Sequence, residues 1–106
     1  MDTSLQGILA ELRARFVALY GERLDRLVVY GSQARLQATP ESDIDVLVVL
    51  RGPVVCGAEI ARTEELVAAL SLDHDVVIAC VFVAAEEFAQ GRSPFLRNVQ
   101  RQGVPV

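Results

Sequence analysis

The stretch that decides the fold is "VVYGSQARLQATPESDIDVLVVL", which runs from Val28 to Leu50. An apolar, β-branched run ends at Gly31-Ser32, and a second apolar run begins with Asp43-Ile44-Asp45. Both runs have the composition of strands, and the Gly-Ser and Pro-containing segment between them has the composition of a turn and loop. The polar side chains that are most costly to bury therefore stand at the two strand ends that face each other.

Helical and extended patterns alternate along the rest of the chain. Helices are predicted over residues 4–20, 32–37, 58–72, 84–91 and 93–103, and strands over 26–31, 43–50 and 74–83. The near-continuous apolar run of residues 43–50 predicts a central strand. This order predicts an α+β fold, in which a small mixed sheet of three or more strands packs against helices. A chain of 106 residues corresponds to one domain, 1–106.

Composition excludes several classes of function. The net charge of −4 disfavours direct nucleic-acid binding, because phosphate contacts need clustered positive charge. The sequence has no apolar run of about 18 residues, which predicts no membrane span. The N-terminus lacks the basic region of a signal peptide, and the two cysteines have no metal-ligand spacing. We therefore expect a cytoplasmic protein.

The chemistry of the central stretch comes from its aspartates and its turn. In a strand, Asp43 and Asp45 project on the same face, and two close carboxylates repel unless a cation lies between them. Mg²⁺ is typically held by one or two carboxylates together with substrate phosphates. The Gly31-Ser32 turn offers free N–H groups and a hydroxyl to an anion. These features point to phosphoryl or nucleotidyl transfer, although Asp43 could instead only cap the loop.

The spacing of these residues resembles a known signature. Gly31-Ser32, ten residues, then Asp43-Ile44-Asp45 resembles that of the DNA polymerase β-like nucleotidyltransferase superfamily. More narrowly, "YGSQARLQATPESDIDVLVVL" is similar to the minimal nucleotidyltransferases, the small antitoxin partners of HEPN-domain toxins. The specific match covers residues 28–50, and the resemblance implies the polymerase β-like fold. One departure is Leu36, where members of this group often have glycine. A leucine at this position would alter the loop over the nucleotide and not the metal ligands.

The resemblance also implies a third carboxylate on a later strand. Asp73 and Asp75 both precede "VVIACVFV", and the family pattern favours Asp75 because it directly precedes the apolar run. Asp43 and Asp45 would then hold the nucleotide-associated Mg²⁺, and Asp45 with Asp75 a second Mg²⁺ that activates the acceptor. Two such ions, about 3.5–4 Å apart, serve in-line displacement. The alternative is that Asp75 only begins a strand at the solvent edge.

The nucleotide contacts follow from the same resemblance. Gly31 N–H and the Ser32 hydroxyl would hold the β- and γ-phosphates of ATP, the expected nucleotide donor. Arg35 would add a bidentate phosphate contact, or else be a solvated arginine. All three predicted acids are present, so the resemblance implies an intact catalytic centre.

The expected partner is a HEPN-domain RNase toxin. Residues 84–106 are too few for an acceptor-binding domain, which predicts that the acceptor comes from another protein. The resemblance implies transfer of AMP to a tyrosine of the toxin. The alternatives are an antitoxin that acts by steric binding alone, and an aminoglycoside-type nucleotidyltransferase. Tyr20 and Tyr30 are further candidate acceptors in a self-modifying enzyme, whereas Phe82, Phe88 and Phe95 are predicted to lie in the core.

Overall fold

The computed structural model describes residues 3–34 and 43–106. The helices are α1 (Thr3–Tyr20), α2 (Cys56–His74), α3 (Ala85–Gln90) and α4 (Pro94–Gln102), and a short 3₁₀ turn, Gly21–Arg23, follows α1. The strands are β1 (Leu24–Tyr30), β2 (Ile44–Leu50), β3 (Ile78–Ala84) and β4 (Val104–Pro105). Within the described ranges, none of the helices is both long enough and apolar enough to cross a membrane.

One mixed sheet organises the chain, with strand order β3-β2-β1-β4. Strand β2 runs antiparallel to β1 and parallel to β3, and β4 adds to the far side of β1 in antiparallel orientation. The α+β fold with a small mixed sheet is therefore confirmed, and so is the central position of β2. The two-residue strand β4 was not predicted, because two residues cannot show alternation.

Helices cover both faces of the sheet. The alternation of β2 sends Ile44 and Val46 into a core with the apolar stripe of α1 and with Leu70 of α2. Leu47 and Val49 point the other way, into a smaller core with residues of α3 and α4. The two cores let β2 be apolar on both faces, as its sequence predicts.

One strand and one helix differ most from the predictions. The predicted third strand begins at residue 74, whereas β3 begins at Ile78 because α2 continues to His74. The predicted helix over residues 32–37 is a turn in its described part, 32–34, and the remainder lies outside the described residues. The predicted N-cap of α4 is confirmed, since Ser93 Oγ accepts a hydrogen bond from the Leu96 N–H at 3.0 Å.

An irregularity shifts the register at the beginning of β1. Leu24 pairs with Leu50, but the next pair is Arg26 with Val49, so the ladder skips Asp25. The Asp25 carboxylate forms ion pairs with Arg26 at 2.8 Å and with Arg51 at 3.2 Å. This geometry is a β-bulge, in which one strand contributes an extra residue.

Candidate active site

The end of β1 and the beginning of β2 lie side by side. Tyr30, the last residue of β1, pairs with Asp45 in the antiparallel ladder. Gly31 follows with a φ of +72°, and a Cβ added there would lie 2.7 Å from Asp45 Oδ2. The turn backbone therefore lies directly against the Asp45 carboxylate, and a residue without a side chain is what allows this approach.

The two aspartates interact through their charges. Partial burial raises the pKa of the Asp45 carboxyl, and the negative charge of Asp43 raises it further. Asp43 is exposed and directly precedes β2, whereas Asp45 is half-buried. Among residues 3–34 and 43–106, no arginine forms an ion pair with either carboxylate. The described part of the site therefore carries negative charge that a cation would stabilise.

Tyr30 belongs to the same site. Burial raises the pKa of its hydroxyl, and the nearby Asp45 carboxylate contributes in the same direction. Its side chain packs against the smaller core, on the face of the sheet covered by α3 and α4. Both effects make ionisation of this hydroxyl less favourable than that of a free tyrosine.

Asp75 occupies an unusual backbone position at the same edge of the sheet. It ends α2 with φ 52° and ψ 48°, the one positive φ outside glycine among the described residues. The Val76 N–H donates a hydrogen bond to the Ser71 carbonyl at 3.0 Å, and the Asp75 N–H donates one to the Leu72 carbonyl at 3.4 Å. These two hydrogen bonds close the last turn of α2. Because β2 and β3 are parallel, Asp75 stands just before the strand that begins beside Asp43.

This position changes how the third acid relates to the other two. Asp73 lies in the last turn of α2, so strand alternation does not relate it to Asp75. Within the described ranges, no three Asp, Glu, His or Cys side chains lie close enough to hold one metal together. The metal-ligand role of Asp75 stays a prediction.

The donor chemistry of the first two aspartates fits magnesium. Mg²⁺ prefers hard oxygen ligands, and it is commonly held by one or two carboxylates while substrate phosphates and water complete its coordination. Asp43 and Asp45 supply such a pair, and their mutual repulsion is relieved by a shared cation.

The remaining predicted contacts lie in the turn and beyond it. Ser32 is half-buried in the turn directly after Gly31. Arg35 and Leu36 lie outside the described residues. The phosphate contact of Arg35 and the effect of Leu36 on the loop over the nucleotide therefore stay predictions.

The sequence did not predict one aromatic contact at the site. The rings of Tyr30 and Phe95 meet edge to face, with centroids 5.2 Å apart and an interplanar angle of 82°. Phe82 and Phe88 are buried as predicted, but Phe95 is 39% exposed and its assignment to the core is wrong. In the sequence, the signal that Tyr30 lies at the site was its position directly before Gly31.

Tyr20 has a structural role instead. It is buried, and its hydroxyl donates a hydrogen bond to Glu59 Oε1 at 2.8 Å. Burial pushes the pKa of Glu59 upward, but the Tyr20 hydrogen bond and the charges of Arg23 and Arg62 outweigh it and hold that pKa below its usual value. The burial of Glu59 could not be predicted from the sequence, because one acid on an amphipathic helix carries no signal of burial.

A pair of interacting carboxylates against a glycine turn, on a small mixed sheet, suits the binding of a metal-bound phosphate. The chain belongs to the nucleotidyltransferase domain family, whose model matches residues 9–99. It is 25% identical over 99 residues to a Methanocaldococcus jannaschii protein provisionally named a protein adenylyltransferase. The match covers 93% of this chain and 95% of that protein.

Three solved structures share the fold. A minimal nucleotidyltransferase is 25% identical with a TM-score of 0.63, covering 100% of this chain and 97% of its own. A Sulfolobus solfataricus nucleotidyltransferase is 15% identical with a TM-score of 0.61, over 99% and 86% of the two chains. The toxin–antitoxin pair MntA-HpeT, with two aspartates changed to glutamate, matches at 17% identity and a TM-score of 0.58, over 90% and 69%.

Proposed function

We propose that this nucleotidyltransferase is a Mg²⁺-dependent protein adenylyltransferase that transfers AMP from ATP to a tyrosine of a HEPN-domain RNase toxin. It would neutralise that toxin in the cytoplasm and thus act as its antitoxin. The observation that carries the proposal is the Asp45 carboxylate, held against the Gly31 turn and interacting with Asp43. The provisional name of the M. jannaschii relative and the fold shared with a toxin–antitoxin protein support the choice of acceptor.

The turn after β1 binds the triphosphate in this proposal. The positive φ of Gly31 leaves no Cβ between the turn backbone and the Asp45 carboxylate, so a metal-bound phosphate can approach both. The Gly31 N–H and the Ser32 hydroxyl contact the β- and γ-phosphates, and Arg35 adds a guanidinium. The contacts orient pyrophosphate as the leaving group.

Asp43 and Asp45 would hold one Mg²⁺, and Asp45 with Asp75 would hold a second. Such ions would supply neutralisation of the phosphate charge and a lower pKa for the attacking hydroxyl. The tyrosine oxygen of the toxin forms a bond to the α-phosphorus of ATP, the bond from that phosphorus to the β-phosphate oxygen breaks, and pyrophosphate leaves. The hydroxyl proton passes to a carboxylate of the site.

The decisive experiment is transfer of label to a purified toxin partner. The chain, its HEPN-domain neighbour, Mg²⁺ and ATP labelled at the α-phosphate are combined, and the toxin is analysed by gel and by mass spectrometry. We expect an AMP adduct on a toxin tyrosine and loss of RNase activity. The double variant Asp43→Asn/Asp45→Asn should bind the toxin without labelling it. Asp25→Asn, an acid at the bulge of β1, is the matched control and should label normally.

Two results would contradict this proposal. If the double variant neutralises the toxin as well as the wild type does, the antitoxin acts by steric binding. If the complex forms and no label reaches the toxin, the acceptor is a different molecule. Asp75→Asn and Asp73→Asn then separate the two candidate third acids, since we expect only Asp75→Asn to abolish transfer.

A further inference from the structure

An exposed aromatic ring stands beside the candidate active site and has no role in the core. Phe95 lies in the first turn of α4 and is 39% exposed. Among the described residues it is the one aromatic side chain with a large exposed surface. Its edge-to-face contact with Tyr30 occupies at most one face of the ring, which leaves apolar π-surface open to a ligand.

The contact with Tyr30 connects this ring to the catalytic carboxylate. Tyr30 pairs directly with Asp45, and both side chains lie on the face of the sheet that carries α3 and α4. Cross-strand Cβ atoms are about 5 Å apart, and the two ring centroids are 5.2 Å apart, so Phe95 lies on the order of 10 Å from the carboxylate. This is the reach of a ribose and a phosphate from a metal-bound triphosphate to its base.

The sheet surface on the other side of Asp45 from Tyr30 is apolar and partly open. On β3, Ala79 pairs with Asp45 and Val81 pairs with Leu47, so both residues face the same side as the carboxylate. Val81 is 41% exposed, although its partner Leu47 is fully buried. On this face, helices α3 and α4 therefore leave Val81 uncovered.

We propose that Phe95 stacks on the base of the donor nucleotide, with Ala79 and Val81 as the apolar surface beneath it. This inference rests on the proposed function and names the part of the site that would bind the nucleoside. Stacking on an aromatic ring tolerates any base, so Phe95 supplies affinity for a nucleoside triphosphate rather than choice of adenine. Tyr30 is a positioning residue, because its contact fixes the orientation of the Phe95 ring.

The chain offers a direct test, since it contains no tryptophan. Phe95→Trp creates a single fluorescent reporter at the proposed stacking position. Leu19→Trp is the matched control, because Leu19 is 41% exposed on α1 and Phe95 is 39% exposed. Titration with ATP and Mg²⁺ should quench the fluorescence of Phe95→Trp and leave Leu19→Trp unchanged. Inorganic tripolyphosphate, which has no base, should bind to Phe95→Trp without quenching it.

Binding affinity gives the second readout, measured by calorimetry with ATP and with tripolyphosphate. We expect Phe95→Ala to weaken ATP binding by about 5- to 150-fold and to leave tripolyphosphate binding unchanged. Phe95→Tyr should restore most of the ATP affinity. Phe95→Leu keeps an apolar contact with Tyr30 but has no ring, so it should behave like Phe95→Ala.

The outcomes separate this inference from the proposed function. If wild type binds ATP and Phe95→Ala binds it equally well, the stacking role is overturned while the proposed function stands. An equal loss of ATP and tripolyphosphate affinity would mean that Phe95 only supports the fold of the site, which also overturns the inference. If wild type binds neither ligand, the proposed function itself fails.

Discussion

Replacing Gly31 by alanine tests whether the approach of the turn to Asp45 sets the geometry of the site. Gly31 has a φ of +72°, and an added Cβ would lie 2.7 Å from Asp45 Oδ2. Gly52 has a φ of +83°, but an added Cβ there meets nothing within 4 Å. The two positions therefore share the backbone penalty of a left-handed residue, and only Gly31 has the contact with the carboxylate.

The magnitudes follow from those two terms. Left-handed backbone costs a residue with a Cβ about 1–2 kcal/mol, so both variants should lose that much free energy of unfolding. For a domain of this size each kcal/mol lowers Tm by about 4–8 °C. In Gly31→Ala the carboxylate must also move from 2.7 Å to an ordinary contact of at least 3.4 Å, a displacement of 0.7 Å or more. Because a misplacement of about 1 Å can cost 10²-fold in rate, we expect Gly31→Ala to transfer nucleotide about 10- to 100-fold more slowly than Gly52→Ala.

The assay is transfer of label from ATP to the proposed toxin partner, run at a temperature at which circular dichroism shows both variants folded. Urea unfolding of each variant checks the shared backbone penalty. Equal transfer rates in the two alanine variants, with the expected loss of stability in both, would refute the claim that this glycine shapes the site.

Three further substitutions test other parts of the molecule. Burial and the charge of Asp43 raise the folded pKa of Asp45, so the stability linked to that carboxyl is present below the unfolded value of 3.8 and is lost as pH rises through the folded pKa. Asp45→Asn should therefore unfold at a higher urea concentration than wild type at neutral pH, and this gain in stability should be absent below pH 3.8. A lower urea midpoint of the variant at neutral pH would contradict this. Tyr20→Phe removes a donor from a buried carboxylate and should cost about 1–3 kcal/mol in urea unfolding, whereas an unchanged midpoint would mean that water replaces the hydroxyl. In Gly103→Ala the added Cβ would lie 2.5 Å from the Val99 carbonyl oxygen, so we expect overpacking to destabilise the fold by about 1–3 kcal/mol. Gly57→Ala is the control, because Gly57 lies in α2 with open space around it, and this variant should not be destabilised.

The sequence predicted the parts of the fold that depend on local pattern. Apolar, β-branched runs predicted the strands, and the expectation that the end of the first strand faces the beginning of the second is confirmed by the pairing of Tyr30 with Asp45. The backbone of Asp75 could not be predicted in this way. Its left-handed conformation depends on α2 continuing to His74 and closing through the Ser71 carbonyl, whereas the sequence near Asp75 reads as the beginning of a strand.

The exposure of Phe95 was also beyond the sequence. Its spacing on α4 is that of an apolar stripe, and Leu96 and Val99 of the same helix are indeed buried. Whether Phe95 joins them depends on where α4 lies across the sheet. That placement is set by contacts between α4 and β1, which are distant in the chain.

The bulge at the beginning of β1 has a consequence for insertions and deletions. If the pairing continued from Leu24 and Leu50 without the shift, Tyr30 would lie opposite Ile44. Its side chain would then lie on the other face of the sheet, away from Asp45. The skipped residue, Asp25, instead brings Tyr30 opposite Asp45. The site is thus sensitive to chain length at a point five residues from Tyr30. Relatives of this chain should tolerate substitution at Asp25 more readily than loss of one residue there.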